Sequence, residues 1–302
     1  MNAPGTAPWL SRKERGSRAA MRLMKWVALR CGRGVARALL YPICAYFLAF
    51  SPRARAASRE YLARVLGRVP GLRDLWRHYF AFASTVLDRV FLLDGRFECF
   101  DIEIRGAELL ERTLRQGRGC LLLGAHLGSF ELLRAAGLLQ RGLPVNVVMY
   151  EDNAANIAEV LGSLQPGIDS RVIVPGQVDT VLQIGERLAR GEIVGMLGDR
   201  RAGSEKSVVC PFFGQDAAFP QGPLLLAHSL RVPVVLFFAL YDGGARYVVH
   251  FEPFCDDYSE DRARRPAWIE QWTRRYAERL EHFCRVAPYN WFNFYDFWAP
   301  AA

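Results

Sequence analysis

No two cysteines of this chain form a C-x-x-C pair. The seven (Cys31, Cys44, Cys99, Cys120, Cys210, Cys255, Cys284) are odd in number and widely spread, which argues against a zinc site and a disulfide framework and fits a reducing compartment. His78, His228, His250 and His282 fall at no metal-ligand spacing. Glycine-rich phosphate loops and the G-x-S-x-G elbow are missing, which removes two common routes to nucleotide and ester chemistry. There is no internal repeat and no long low-complexity linker. The first 20 residues are polar and basic, and no small-residue cleavage site directly follows the later apolar stretch, so a cleavable secretory signal does not fit and the N-terminus is expected to be retained. What is present is 302 residues with 51% apolar side chains. That is enough for a large core in one or two domains, and it excludes disorder as the main state.

Lysine is scarce: only Lys13, Lys25 and Lys206 contribute to 39 basic residues set against 31 acids. The charge is also unevenly placed. Residues 1–60 hold 12 basic side chains and two acids, so the net +8 resolves into +10 in this arm and −2 in the remainder. The arm continues into helix-forming residues and then the 13-residue uncharged run Ala38–Phe50, with Pro42 inside it. A spanning helix needs about 20 apolar residues, and proline is expected to kink this one. The basic flank fits a helix that dips into, or lies on, an anionic bilayer face; a short tilted span and a core helix behind a solvated tail are the other readings. Nucleic acid is not an expected partner, because no nucleic-acid motif accompanies the arm.

Residues 73–93 place large apolar groups three and four apart, as an amphipathic helix does, with His78 read as a packing or surface residue. Beyond residue 100, strand-like runs at 120–124, 145–150, 172–174, 193–197, 232–238 and 247–251 alternate with helical stretches at 131–140, 179–190 and 222–230, before a last helix near 266–286. This alternation predicts an α/β fold with a central, mostly parallel sheet flanked by helices. The expected organisation is a basic, membrane-associating helical region over residues 1–60 and an α/β domain over residues 61–302.

The chemistry is most visible where the first buried run ends, in Leu121-Leu-Leu-Gly-Ala-His126-Leu-Gly-Ser-Phe-Glu131. A strand there enters a glycine-containing turn and then a helix that Ser129 could cap. Five residues on an ideal helix separate His126 from Glu131 by about 140°, so the two meet only with His126 in the turn and Glu131 in the first helical turn. In that geometry the carboxylate fixes one imidazole nitrogen and the other removes a proton from a hydroxyl. Alternatively, His126 caps a turn and Glu131 is a first-turn acid favoured by the helix dipole.

Four ordered blocks give this pair its context. His126-x4-Glu131 follows a hydrophobic strand, Gly195-Met-Leu-Gly-Asp199-Arg200-Arg201 places an Asp-Arg pair after another, and Phe219-Pro220-Gln221-Gly222 and Val232-Pro-Val-Val235 follow in turn, with Pro288-Tyr-Asn-Trp291 near the end. Over roughly residues 20–298 the chain resembles the lysophospholipid acyltransferase superfamily and, within it, the bacterial lipid A biosynthesis acyltransferases. The resemblance implies an O-acyltransferase that moves a fatty acyl group from an acyl thioester to a hydroxyl of a lipid or glycolipid. It implies His126 as general base with Glu131 as its partner, and substrate-binding roles for Asp199, Arg200, Arg201, Phe219, Pro220 and Gly222. Arg200 or Arg201 would meet a phosphate or the developing oxyanion, and Asp199 would orient that arginine or form a structural pair with it. Gly222 would turn its N–H toward an anion, or simply make a tight turn.

Three departures bear on the acceptor. Gln221 stands where F-P-E-G has its acid, which disfavours glycerol phosphate. Acids occupy Tyr150-Glu-Asp-Asn153, where that branch often has basic residues, and the tail Tyr289–Trp298, seven aromatics in ten, carries an acid rather than a basic cluster. Both weaken the case for a strongly phosphorylated lipid A acceptor. The tail is read as packed on the core, with a membrane-interface belt or acyl-channel wall as the functional reading. The implied donor is acyl carrier protein, with acyl-CoA second; no metal or tightly held cofactor is expected. The implied location is the cytoplasmic face of a bacterial inner membrane, and the oligomeric state is not legible. A lysophosphatidate or other phospholipid acyltransferase, and a non-catalytic membrane-surface protein of the same fold, are the rival readings.

Overall fold

A computed structural model describes residues 18–115, 117–133, 145–149, 171–176, 179–201, 205–258 and 261–299. The described residues begin with three helices, α1 (Arg18–Phe50), α2 (Pro52–Leu66) and α3 (Leu72–Leu93). Helix α1 is broken at Gly32, whose φ of 82° and ψ of 169° leave the helical region, and not at Pro42, which lies inside the helix. The expected kink therefore moves ten residues toward the N-terminus. Glycine without a Cβ turns the backbone at little steric cost, whereas Pro42 forfeits one backbone hydrogen bond in a segment that otherwise continues.

The stretch Met21–Phe50 is long and apolar enough to cross a membrane and is mostly uncovered by the rest of the molecule. Tyr41, Tyr46 and Phe50 are all exposed, while Ala28, Ala36, Leu40 and Cys44 pack against Leu87 and Phe91 of α3. Two arginines of the basic arm are committed to the fold. Arg33 forks onto the buried Asp88 through Nε–Oδ1 at 2.7 Å and Nη2–Oδ2 at 2.9 Å, and Arg37 donates to the Gly244 carbonyl at 3.0 Å. Asp88 also accepts from the Tyr247 hydroxyl at 2.8 Å.

The remaining elements are β1 (Asp101–Arg105), α4 (Ala107–Arg115), β2 (Cys120–Gly124), β3 (Val145–Val148), β4 (Val172–Ile173), α5 (Thr180–Ala189), β5 (Ile193–Leu197), β6 (Ser207–Phe212), β7 (Gln215–Pro220), α6 (Gly222–Leu230), β8 (Val234–Tyr241), β9 (Arg246–Cys255) and α7 (Arg265–Val286). Among the described residues, seven strands form one sheet in the order β1-β9-β8-β2-β5-β3-β4. Every neighbouring pair is parallel except β8–β9, so the fold is the α/β arrangement expected.

Strand β2 is central and buried along its whole length, as a strand covered on both faces must be. Its side chains alternate: Leu121 and Leu123 join the core beneath α7, and Cys120 and Leu122 join the opposite core with Leu110 of α4. Periodicity missed β1 and the hairpin β6–β7. That hairpin turns through Phe213 (φ 53°) and Gly214 (φ 76°), the two left-handed residues of a tight hairpin loop. Of the expected helix 131–140, residues 134–140 lie outside the described residues, as does the acidic segment 150–153.

The C-terminal segment 287–299 packs inward. Trp291 is fully buried, its ring 4.8 Å from Phe297, 5.0 Å from Tyr61 and 5.4 Å from Phe212, centroid to centroid.

Candidate active site

Strands β2 and β5 are parallel neighbours in the register Gly124↔Leu197. The residues two beyond that pair are His126 and Asp199, so the sheet delivers both to one point at its carboxyl edge, where open α/β sheets bind ligands. The His126 imidazole meets Asp199 through Nδ1 and Oδ1 at 2.8 Å, and the His126 backbone N–H points at the same carboxylate, 3.1 Å from each oxygen. The indole Nε1–H of Trp291 donates to Asp199 Oδ2 at 2.9 Å.

Bonding fixes the protonation pattern. Burial opposes the Asp199 charge, yet His126, Arg200 and the Trp291 N–H outweigh it and hold the carboxyl near pKa 2. An ionised carboxylate only accepts, so Nδ1 of His126 carries the proton and Nε2 keeps its lone pair. Burial first, and then the Arg200 charge, lower the His126 pKa against the upward pull of Asp199. The imidazole is therefore neutral at physiological pH, the state a general base requires. Its side chain is 29% exposed, so the imidazole is open to solvent.

The turn that carries His126 is tied on both sides. Phe292 N–H donates to the His126 carbonyl at 2.8 Å, Gly128 N–H to Asn290 at 2.9 Å, and Ser129 N–H to Ala239 at 2.9 Å. Asn290 itself accepts from Tyr241 N–H at 2.6 Å and donates back to the Tyr241 carbonyl at 3.1 Å.

Glu131 does not partner His126. Its carboxylate pairs with Arg89 of α3 at 2.7 Å, and the His126 imidazole takes Asp199 instead, because the sheet register brings Asp199 alongside while the chain after the turn directs Glu131 to α3. Asp199 likewise neither orients Arg200 by a direct bond nor forms a simple structural pair with it. Arg200 donates from Nη2 to the Phe292 carbonyl at 2.7 Å, and its guanidinium lies 5.6 Å from the Tyr295 ring centre. Its Nε is buried without a hydrogen-bond partner among the described residues. Arg200 and Arg89 both depress the His126 pKa by their charge, so two cations flank the imidazole.

The third block is set apart from this cluster. Phe219 is a core residue against Phe212, Tyr276 and Phe297, and Pro220 closes β7. Gly222 opens α6, and a Cβ there would overlap the Glu205 carboxylate, so the anion beside that helix start is supplied by the chain itself. Arg201 is half-buried. His228 lies on α6 against Tyr258 and Trp268.

Sequence reasoning passed over Trp291 and Asn290 as site-building residues. The signal was the Pro288–Trp291 block, which carries the only indole among the described residues that reaches Asp199.

A strand-end histidine, an Asp-Arg pair on the next strand and an indole from the tail occur here in one chain order. The sequence model of the family described as bacterial lipid A biosynthesis acyltransferase matches residues 89–299. The chain belongs to that family. It is thus an acyltransferase that acts on lipid, and the match runs from Arg89, the partner of Glu131, to just beyond Trp298, covering about 70% of the chain. No curated protein matches the chain.

In this family member, Arg89 and Glu131 form one unit, and their substitutions are expected to overlap. Arg89→Met and Glu131→Gln each lower lipid acylation, and the double variant is no worse than the weaker single one, because coupled residues lose their shared contribution once. Additive losses in a double-mutant cycle would separate the two.

Proposed function

We propose that the chain catalyses O-acyl transfer from an acyl thioester to a hydroxyl of a lipid or glycolipid, with His126 as general base and Asp199 as its partner. Nε2 takes the acceptor proton as the hydroxyl oxygen attacks the thioester carbonyl. Asp199 stabilises the imidazolium that forms. Arg200, with Arg89 held by Glu131, faces the negative charge that develops on the carbonyl oxygen. Collapse of the tetrahedral intermediate breaks the carbon–sulfur bond. The imidazolium proton passes to the leaving thiolate, giving an ester and a free thiol.

The observation that carries this reading is the neutral imidazole held by Asp199 with Nε2 open. Acyl carrier protein is the first donor and acyl-CoA the second, and the site works at the cytoplasmic face of a bacterial inner membrane, against which the exposed apolar side of α1 rests. A glycolipid acceptor is favoured over glycerol phosphate by Gln221.

Mass spectrometry of total lipids tests this in cells lacking the chain, carrying it, or carrying His126→Ala. A lipid species heavier by one acyl chain is expected only with the intact histidine, and its mass names the acceptor. Equal lipid profiles in the three strains, with the protein folded and at the membrane, would remove the proposal.

A further inference from the structure

Behind Asp199 the hydrogen bonds continue away from the substrate side. Trp291 gives its indole N–H to Asp199 Oδ2, and its backbone carbonyl lies 2.9 Å from Nε2 of His78 on α3. Nδ1 of His78 lies 2.7 Å from the Ser58 hydroxyl on α2. Ser58, His78, Trp291 and Asp199 are all fully shielded from solvent.

The chemistry of each group fixes its direction. A carbonyl only accepts, so Nε2 of His78 carries its proton, Nδ1 is bare, and Ser58 donates to it. Burial lowers His78 to about pKa 4, so it stays neutral. Indole only donates, so the Trp291 bond depends on Asp199 being ionised. The order from α2 to the substrate side is therefore Ser58, His78, Trp291, Asp199, His126.

We propose that Trp291 is a positioning residue for acyl transfer: its indole N–H fixes the plane of the Asp199 carboxylate so that His126 presents Nε2 to the acceptor hydroxyl, while His78 and Ser58 brace the Trp291 backbone from α3 and α2. This rests on the acyl-transfer reading above. A carboxylate with both oxygens engaged cannot rotate away from Nδ1. With the indole N–H gone, Oδ2 keeps only the His126 backbone N–H that it shares with Oδ1, the carboxylate can turn, and the imidazole loses the geometry that a general base needs. Trp291 also acts on the same turn through its backbone, since it bridges Leu127 and its neighbour Phe292 holds the His126 carbonyl. The ring and the main chain of one residue thus grip both halves of the site.

The other ionisable groups facing the pair are Arg200 beside Asp199, Arg89 from α3 with its partner Glu131, and Tyr276 and Cys284 of α7 beneath Asp199. None of them changes in the variants used below.

The test uses the full chain, with acylated acyl carrier protein and acyl-CoA as donors and vesicles of bacterial total lipid extract as the acceptor source, and an NMR titration of His126 in ring-labelled protein. Trp291→Phe keeps an aromatic ring and deletes the N–H. Its kcat is expected to fall about 10- to 100-fold while KM stays within about twofold. The indole N–H keeps the carboxylate aligned on Nδ1, where it holds the imidazolium, so its loss moves the His126 titration downward, by about half a unit or more. His78→Leu moves the titration the same way, and His78→Gln, which keeps a donor for the Trp291 carbonyl, restores it.

A folded Trp291→Phe protein with unchanged kcat and titration overturns the proposal. If Trp291→Phe does not fold, the His78 pair decides: different titrations for Leu and Gln support the bracing, and equal ones overturn it. If the unaltered chain transfers no acyl group, the acyl-transfer reading falls, and the titrations alone decide the positioning role.

Discussion

Asp199→Asn is expected to reduce acyl transfer by roughly 10³- to 10⁴-fold while leaving the fold in place, as loss of the carboxylate behind a catalytic histidine does elsewhere. The amide is nearly isosteric and still reaches the Trp291 N–H, so the change is electrical. An asparagine can present its NH2 to Nδ1 of His126. The imidazole then carries its proton on Nε2, where it cannot accept one from a hydroxyl.

The pH profile gives a second signature. Asp199 raises the His126 pKa, while burial and Arg200 lower it. Removing the carboxylate therefore lets the pKa fall further, and the acidic limb of kcat/KM moves to lower pH. Trp291→Phe moves the same limb the same way and by less, because it loosens the carboxylate without removing it. Initial rates from pH 4 to 9 decide it. An Asp199→Asn enzyme within tenfold of the original activity would mean that another carboxylate partners the histidine.

Gly128→Ala is expected to act on the fold itself. Gly128 has φ +69°, and a Cβ there would run into the Ala239 carbonyl oxygen, a backbone atom of β8. The close approach is what lets Ser129 N–H reach the Ala239 carbonyl. Relief requires the His126 turn to lift off β8, and the cost is about 3 kcal/mol or more, a drop of roughly 6–12 °C in melting temperature for a chain of this size. Gly67→Ala is the control. Its φ is +64°, but nothing lies within 4 Å of a Cβ there, so it carries backbone strain alone, about 1 kcal/mol. Equal melting temperatures for the two variants would refute the clash. Acylation should vanish in Gly128→Ala and survive in Gly67→Ala.

Much of the layout was legible in the sequence. The apolar runs at 120–124 and 193–197 are strands with those bounds, and 222–230 is the expected helix, because buried parallel strands read as unbroken hydrophobic runs. The edge strand β1, with its charged Asp101, Glu103 and Arg105, carried no such signal. The hairpin β6–β7 was hidden because Pro211 and the Phe213–Gly214 turn interrupt its pattern.

At the site, sequence spacing set His126 beside Glu131, whereas the structure bonds it to Asp199. Glu131 is five residues away in sequence and Asp199 seventy-three, and only the strand order β2–β5 makes the distant one adjacent. Once that order is known, both residues count as two past the end of a strand. Trp291 was visible as part of a block, but which of the tail's aromatics would donate inward depends on the packing of Tyr61, Phe212 and Phe297 around it.

The Arg33–Asp88 fork has a mechanical consequence. Asp88 and Arg89 are consecutive on α3, about 100° apart around its axis, so the same turn of helix holds α1 on one side and Glu131 on the other. Asp88 has no exposure to water, and tilting α1 away would strand its charge in the interior, at a cost of several kcal/mol. Helix α3 must therefore travel with α1. Any pull or tilt on the first helix is delivered, through one rigid rod, to the cation beside His126.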